Sequence, residues 1–464
     1  MQAGIPLKRI YIKPESMKMR TQFLVYITIL LAADVRAQKP ADPNTVILIN
    51  NVQIFNGKEE RTFIGNVLIV DNLISKISTV PIATNKSGNT KIIDGKGKFL
   101  MPGLIDAHTH LMFAGITQQT IMMADIGFVN LVAGKTAEQT LLRGFTSVRD
   151  LGGPVLGLKQ AIDLGITIGP RIWPSGAFIS QTGGHGDFRL PNEVPRLSNT
   201  GPSYAERVNA AIIADNPDDV RRAAREQLML GASQLKLMAG GGVASSYDPL
   251  DVSQYTEAEF RSAVEAAENW GTYVTVHAYT SRAIQTAIAG GVKCIDHGQL
   301  ADDASAKLMA SKGVWWSLQV FLDDEDANPQ TNPENRKKQI EMSAGTATAY
   351  SLAKKYKVKT AWGSDFLFDP SARVQQGKQI AKMIKWYTPF EILKMVTADN
   401  AELLTLAGKR SPYQGKLGVI EEGALADILL VDGDVLKNIN LIADPEKNFM
   451  LIIKDGVIYK NTIR

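Results

Sequence analysis

Cysteine is almost absent from this chain, and beyond its first 37 residues the chain has no excess charge of either sign. Cys294 is the single cysteine among 464 residues, which excludes a disulfide within the chain and a lipid-modified cysteine next to the N-terminal segment. Residues 1–37 hold six of the 51 Lys and Arg residues and two of the 47 Asp and Glu residues. The remainder is therefore balanced in charge, which gives no electrostatic argument for a nucleic-acid partner.

The N-terminal segment 1–37 predicts an export signal. Basic residues precede the apolar run 23–33, and we expect cleavage after Ala37. An uncleaved membrane anchor is the alternative, but the run is shorter than the roughly 20 residues that a bilayer span needs. Met17 or Met19 would be a more usual start, so the residues before them are a candidate N-terminal extension. We expect an exported protein, periplasmic or secreted, whose mature chain has no stable membrane insertion.

Short apolar strands, separated by Asn, Gly and charged turns, occur near both ends of the chain, in 46–70 and again in 426–458. Neither end offers enough strands to bury a face by itself. We therefore predict one small composite β-sandwich domain from residues 38–100 and 411–464, rather than two unrelated sheets. With 45% hydrophobic residues, the chain can bury the core of one large domain beside this accessory domain.

The pattern between residues 101 and 410 alternates between short apolar strands and amphipathic helices. Two helices are predicted at 217–230 and 257–270, the second with Thr256 as its cap and Gly271 behind it. Eight strands with intervening helices favour a (β/α)8 barrel of the α/β class over a doubly wound open sheet, which periodicity alone does not exclude. The candidate strands are 100–106, 146–150, 171–175, 234–238, 273–277, 293–296, 314–318 and 360–364.

Polar residues recur at the ends of these predicted strands. There are only five histidines in the chain, and none is left over as an incidental core or surface residue. In a barrel the strand ends converge on one rim, whereas an open sheet would spread its first and eighth strands far apart. The set is His108 and His110 after the first strand, His185 after the third, Lys236 in the fourth, His277 and His297 ending the fifth and sixth, and Asp365 after the eighth.

Each of these residues also has a simpler interpretation. His108 and His110 face the same side of an extended segment and can chelate one metal, but such a pair can equally be structural. A lone histidine at a strand end is more often a hydrogen-bonded core residue, and Asp365 could be a helix N-cap. Lys236 could reach solvent from the strand end. A lysine desolvated enough to be neutral can instead react with CO2 to form a carbamate, an anionic oxygen ligand, and the neighbouring histidines favour that interpretation.

The motifs resemble those of the amidohydrolase superfamily, and specifically its imidazolonepropionase-related branch, which includes Xaa-Pro dipeptidases and N-acyl amino acid hydrolases. The resemblance extends from Val46 to Ile458. The motifs are Pro-Gly-Leu-Ile-Asp-Ala-His-Thr-His110, Thr-Ser-Val-Arg-Asp150, Thr-Gly-Gly-His-Gly-Asp187, Lys236 with the glycines that follow it, His-Ala-Tyr-Thr280, Asp-His-Gly298, Gly-Ser-Asp365 and Gly-Ala-Leu-Ala-Asp427.

This resemblance implies a site with two divalent metal ions, most commonly zinc. Two cations would lower the pKa of a shared water, so that hydroxide forms near neutral pH, and would polarise the substrate carbonyl. The implied ligands are His108, His110 and Asp365 for the more buried metal, His277 and His297 for the more exposed one, and carbamylated Lys236 as the bridge between them.

The resemblance also implies the proton transfers. Asp365 would take a proton from the attacking hydroxide and deliver it to the leaving nitrogen. His185 and Tyr279 would donate hydrogen bonds to the oxyanion, although Tyr279 could also be a rim residue packed on a neighbouring helix. Thr280 stands where the deaminases of the superfamily have the glutamate of a His-x-x-Glu motif, which disfavours deamination.

We therefore predict a hydrolase that cleaves an amide or peptide bond in a dipeptide or an N-acyl amino acid with a metal-activated hydroxide. Lactone opening, hydrolysis of an imidazolone-type cyclic amide, and a non-catalytic binding protein on the same scaffold are the alternatives. Arg189, Arg196 or Arg207, in loops near the site, could bind a substrate carboxylate. This prediction implies a small-molecule substrate. The sequence leaves open whether the protein forms a homo-oligomer.

Overall fold

The structure is a computed structural model, and it describes residues 45–84, 90–194 and 201–463. The chain separates into two units, Met1–Ala37 and Gln38–Arg464, and all described residues belong to the second unit. The predicted export signal therefore lies outside the described residues, and export stays a prediction. None of the helices among the described residues combines the length and the apolar character that a bilayer-crossing segment requires.

One sheet joins the two ends of the chain. Its strands are β1 (Val46–Ile54), β2 (Phe63–Val70), β3 (Leu73–Ser78), β4 (Thr90–Asp94), β5 (Phe99–Pro102), β16 (Ile428–Val431), β17 (Phe449–Lys454) and β18 (Val457–Asn461). They are ordered β18-β17-β16-β5-β1-β2-β3, and β4 pairs with β1. The N-terminal strand β5 is thus antiparallel to the C-terminal strand β16, with Leu100 opposite Leu430.

The apolar side chains of this sheet form one shared core. Ile49, Ile69 and Leu430, from both ends of the chain, belong to the same buried cluster. The sheet also curls, because the Ile74 N–H on strand β3 donates to the Ala424 carbonyl at 2.8 Å, just before β16. The structure therefore confirms a composite β domain built from both termini.

Eight parallel strands form the barrel. They are β6 (Leu104–Thr109), β7 (Phe145–Asp150), β8 (Arg171–Pro174), β11 (Leu235–Met238), β12 (Val274–Thr280), β13 (Cys294–Leu300), β14 (Trp315–Leu318) and β15 (Thr360–Trp362). The Ser233 N–H donates to the Pro174 carbonyl at 2.7 Å and links the third strand to the fourth. The Asp365 N–H donates to the His108 carbonyl at 2.8 Å and links the last strand to the first. The predicted (β/α)8 barrel is confirmed.

The first predicted strand, 100–106, is in fact two strands. The chain leaves the terminal sheet after β5 and enters the barrel at β6, and Gly103 is the junction between them. A Cβ atom at Gly103 would lie 2.3 Å from the Thr146 hydroxyl, so the junction requires glycine. Two further short strands, β9 (Phe178–Ser180) and β10 (Ala211–Ile213), extend the barrel sheet and were not predicted.

The two predicted helices are present with the predicted bounds. Pro217–Leu230 has Asn216 as its N-cap and Gly231 as its C-cap. Glu257–Trp270 has a capping box between Thr256 and Glu259. The other α-helices are Gln118–Met123, Ile126–Leu142, Leu156–Asp163, Tyr204–Arg207, Ser281–Ala289, Asp303–Lys312, Pro333–Ala344, Thr346–Tyr356, Gln376–Lys382, Pro389–Lys394, Asn400–Leu404 and Pro445–Asn448. Short 3₁₀ segments are Pro191–Glu193, Ala372–Gln375, Met383–Lys385, Thr405–Arg410 and Ile439–Ala443, and Met395–Asp399 is a π-helical turn.

A buried ion cluster connects the barrel to the terminal sheet. Arg171, the first residue of β8, pairs with Asp427 and, at 2.7 Å, with Asp455. Asp427, from the Gly-Ala-Leu-Ala-Asp motif, also accepts a hydrogen bond from the Asp455 N–H at 2.8 Å. Because Arg171 is almost completely buried, its charge depends on these two carboxylates for compensation.

We expect Asp427→Ala to lower the free energy of unfolding by roughly 3 kcal/mol, since it leaves a buried guanidinium with incomplete compensation. The matched control is Glu421→Ala, which removes an exposed pair with Lys58 and should cost less than about 1 kcal/mol. Urea unfolding of both variants measures the difference, and equal losses would contradict the structural role of the buried cluster.

Candidate active site

The carboxyl ends of the barrel strands surround a cavity of about 450 Å³. All eight residues predicted for metal binding or catalysis line it, so the structure brings together side chains that are up to 257 positions apart, between His108 and Asp365. The eight are His108, His110, His185, Lys236, His277, Tyr279, His297 and Asp365. Their individual roles stay predictions.

Strand register places these side chains at one level of the barrel. Strands β12 and β13 are parallel, with His277 opposite Asp296 and Ala278 opposite His297. Lys236, on the neighbouring strand β11, lies opposite Thr275. Because parallel strands end at the same rim of a barrel, the histidines at these ends share one cavity.

Asp365 lies at the centre of the histidine group. Its Oδ1 atom is 3.1 Å from His108 Nε2 and 3.2 Å from His110 Nε2, and its Oδ2 atom is 3.8 Å from His297 Nδ1. Oδ1 is buried and accepts no hydrogen bond from the described residues. Potential ligand atoms of His108, His297 and Asp365 all lie within 4.8 Å of one another. A buried carboxylate oxygen facing imidazole nitrogens without a hydrogen bond is an arrangement that a shared cation would satisfy.

Three imidazole rings are oriented by a hydrogen bond on one nitrogen, which leaves the other nitrogen for a ligand. His110 Nδ1 lies 3.3 Å from the Gly152 carbonyl, His277 Nε2 lies 3.1 Å from the Gly241 carbonyl, and His297 Nδ1 lies 2.8 Å from Gln319 Oε1. The ring centroids of His277 and His297 are 4.5 Å apart, and those of His108 and His297 are 4.9 Å apart. The rings of His108, His297 and His277 therefore form one continuous group.

Burial favours the neutral form of the imidazoles of His108, His277 and His297. It lowers the pKa of His108 to about 4, although the Asp365 carboxylate opposes this shift, and it holds the pKa values of His277 and His297 well below the usual range. Burial by itself raises the pKa of Asp365, but the imidazoles of His108 and His110, whose Nε2 atoms face its Oδ1 atom, outweigh burial and hold that pKa well below its usual value. Neutral imidazole and ionised carboxylate are the forms that bind metal ions.

Lys236 is completely buried and makes an ion pair with a residue that the sequence did not identify as part of the site. Its Nζ atom lies 2.6 Å from Asp296 Oδ2, which also accepts from the Thr275 hydroxyl at 2.7 Å. Arg149 donates to the other oxygen of Asp296 at 2.7 Å. Burial lowers the pKa of Lys236, whereas the Asp296 carboxylate raises it. Both Arg149 and Asp296 stand in sequence motifs named above. Each is a charged residue within an otherwise apolar strand, and that pattern could have identified them as part of the site.

Two candidate metal ligands adopt strained backbone conformations. Asp365 has a φ of 51° and His297 a φ of 77°, in the left-handed region that side chains other than glycine rarely enter. Such strain costs on the order of 1–3 kcal/mol and concentrates at functional sites. The hydrogen bonds of the barrel hold both residues in place, since the His297 carbonyl accepts from Trp316 Nε1 at 2.7 Å.

His185 and Tyr279 lie beside the same histidines. The His185 ring stacks on that of His277, with centroids 4.1 Å apart, and the Tyr279 ring lies 4.8 Å from His277 and 5.2 Å from His297. Tyr279 also belongs to an apolar cluster with Met342 of the helix Pro333–Ala344. It therefore makes both kinds of contact considered for it, with the histidines of the site and with a neighbouring helix.

Of the three arginines that could bind a substrate carboxylate, the two that the structure describes are engaged elsewhere. Arg189 is buried in a pair with Asp187 at 2.5 Å, and Arg207 donates to the Pro202 carbonyl at 2.8 Å. Neither residue lines the cavity, and Arg196 lies outside the described residues. Among the described residues, the lysines and arginines that line the cavity are Lys236, Lys378 and Lys382.

Known proteins share this architecture. A sequence model of the amidohydrolase family matches residues 99–461. The ochratoxinase of Aspergillus niger is 32% identical over 376 residues, which cover 78% of this chain and 75% of that protein. A prolidase crystallised with N-methylphosphonate-L-proline superimposes with a TM-score of 0.81 at 33% identity, and a Xaa-Pro dipeptidase with bound methionine in its active site with 0.78 at 27% identity. Each superposition covers 90% of this chain and 100% of the other. These similarities confirm the resemblance inferred from the motifs.

Proposed function

Because this chain belongs to the amidohydrolase family, it is a hydrolase that acts on amide or peptide bonds, and we propose that it cleaves a dipeptide or an N-acyl amino acid with two divalent metal ions. The observation that carries the proposal is the convergence of four imidazoles, one carboxylate and one buried lysine on a single cavity. The similarity to a prolidase and a Xaa-Pro dipeptidase supports a substrate with a free carboxylate.

The residues present fit a pair of zinc ions. The buried Asp365 Oδ1 atom, facing two imidazole nitrogens without a hydrogen bond, is the strongest indication of a bound cation. When bound, two divalent cations would lower the pKa of a water molecule and polarise the substrate carbonyl. The proposed ligands are His108, His110 and Asp365 for one ion, His277 and His297 for the other, and Lys236 as a carbamate between them.

A carbamate on Lys236 requires the neutral amine. The nitrogen lone pair forms a bond to the carbon of CO2 while one C=O π bond opens onto its oxygen, and the nitrogen releases one proton to water, which leaves an anionic group with two oxygen atoms. Burial favours the neutral amine, whereas Asp296 stabilises the ammonium form. Arg149 offsets part of the Asp296 charge through its own hydrogen bond at 2.7 Å and so reduces the hold of Asp296 on the lysine proton.

Three side chains of this protein would transfer the proton and stabilise the oxyanion. Asp365 receives the proton of the attacking water and passes it to the leaving nitrogen, because an amine leaves poorly as an anion. His185 and Tyr279 donate hydrogen bonds to the developing oxyanion. Burial raises the pKa of Tyr279 well above its usual value, which keeps the phenol protonated and able to donate.

The cavity walls suit a small substrate with an apolar side chain and a charged end. A volume of about 450 Å³ lies within the range of roughly 300–1,000 Å³ that is typical of small-molecule sites. Phe113, Phe178 and Phe321 line it together with Lys378 and Lys382. Lys382 pairs with Asp324 at 2.8 Å, so charged groups of both signs stand at the wall.

We expect the zinc-loaded protein to release an amino acid from Xaa-Pro dipeptides or N-acyl amino acids, because the ligand set and the proton-transfer residues suit a carbonyl with a poor nitrogen leaving group. The measurement is chromatography of the products from a panel that also contains lactones. Turnover of lactones alone would contradict amide cleavage, and the absence of turnover across the panel would favour a binding protein.

We expect Lys236→Ala to lower the metal content from about two ions per chain to one or fewer, and to lower kcat at least about 100-fold. Elemental analysis measures the metal, and the native mass of the wild-type protein should include one added CO2. Lys307→Ala is the matched control, because Lys307 is an exposed lysine paired with Asp303. Undiminished metal content and turnover in Lys236→Ala would exclude the carbamate bridge.

A further inference from the structure

A cradle formed by Gly242, Ser245 and Asp248 holds the ring of His185. His185 Nδ1 lies 2.6 Å from the Ser245 hydroxyl oxygen and 3.3 Å from Asp248 Oδ2. The face of the ring packs on His277, with an angle of 25° between the two planes. Because the cradle occupies Nδ1, only Nε2 of His185 is left to meet a substrate in the cavity.

The burial of the Asp248 carboxylate costs free energy, and the fold alone gives no reason for burying it. Only 1% of the residue is exposed, and among the described residues its Oδ1 atom has no hydrogen-bond partner. Its Oδ2 atom accepts from the Gly242 N–H at 2.6 Å and faces His185 Nδ1. A buried carboxylate with one unsatisfied oxygen is unfavourable by a few kcal/mol, and such costs persist where function requires the group.

The glycines after Lys236 make room for this arrangement. A Cβ atom at Gly242 would lie 2.1 Å from His185 Nδ1, and one at Gly241 would lie 1.8 Å from the Pro249 carbonyl oxygen. The backbone can therefore reach both the ring and the Asp248 turn only without side chains at these positions. The glycine run that the sequence shows beside the fourth strand serves the position of His185.

A lysine from another part of the barrel braces the cradle. Lys338, on the helix Pro333–Ala344, donates from Nζ to the carbonyls of Gly242 at 3.2 Å, Ser245 at 3.0 Å and Asp248 at 2.8 Å. The same helix lines the cavity through Met342. Three charge-assisted hydrogen bonds to one short segment hold the cradle in a single conformation.

We propose that Asp248 is a positioning residue, which acts through His185 by fixing its ring so that Nε2 points to the reacting carbonyl. This inference rests on the proposed role of His185. Misplacement of such a group by about 1 Å can cost on the order of 100-fold in rate. Ser245 and Lys338 support the same position, Ser245 through its contact with Nδ1 and Lys338 through the backbone.

The test compares Asp248→Ala and Asp248→Asn, each alone and combined with His185→Ala. We expect Asp248→Ala to lower kcat about 100-fold with little change in KM, because the lost interaction acts in the transition state. Asp248→Asn should retain most of the activity, since the contacts of Asp248 with the Gly242 N–H and with His185 Nδ1 fall on one oxygen and an amide oxygen can accept them. Asp251→Ala is the control, because Asp251 is an exposed aspartate in the same segment and should be neutral.

In the His185→Ala background, Asp248→Ala should have no further effect, because residues that act through one another are not additive. A full additional loss in that background, or equal losses in the Ala and Asn variants, would overturn the proposal. Unchanged turnover in His185→Ala would instead refute the role of His185 in the proposed function. Crystal structures give a readout without turnover: a His185 ring that stays stacked on His277 in Asp248→Ala would also overturn the positioning role.

Discussion

One backbone hydrogen bond, from the Asp365 N–H to the His108 carbonyl, closes the barrel at the point where its first and last strands meet. It brings the Asp365 carboxylate into contact with His108 and His110. The positive φ of Asp365 is the local cost of this turn, and the closed barrel maintains it. An open sheet of the same strands would leave Asp365 and the two imidazoles of the first strand at opposite edges, so the site exists only because the sheet closes.

Charge compensation is the second constraint on the barrel. Arg149, Lys236 and Asp296 are all completely buried, and as long as Lys236 is an unmodified ammonium group the carboxylate between the two cations makes their burial tolerable. The same logic applies at the opposite end of the barrel, where Arg171 is compensated by acidic residues of the terminal sheet. Buried ions thus mark both the chemical end of the barrel and the end that attaches the β domain.

The loop after the fourth barrel strand shows how a segment can contribute to a site without supplying a proposed metal ligand itself. The segment from Gly240 to Asp248 has no regular secondary structure over most of its length, yet its glycines, its carboxylate and the bonds from Lys338 determine one position for one ring. Rigid support of this kind is what oriented hydrogen-bond donors need in order to act on a transition state.

The sequence by itself determined the eight barrel strands within a few residues, the two capped helices and eight of the residues that line the cavity. These follow from local signals: apolar runs, capping boxes, and polar residues placed where strands end. The tertiary structure alone decided that Asp296 pairs with Lys236, that Asp248 holds His185, and that Arg189 is engaged elsewhere. Those contacts join residues far apart along the chain, apart from Arg189 and its neighbour Asp187. All of these contacts depend on the directions of the side chains and on the distances between them in the folded protein, which local sequence patterns do not show.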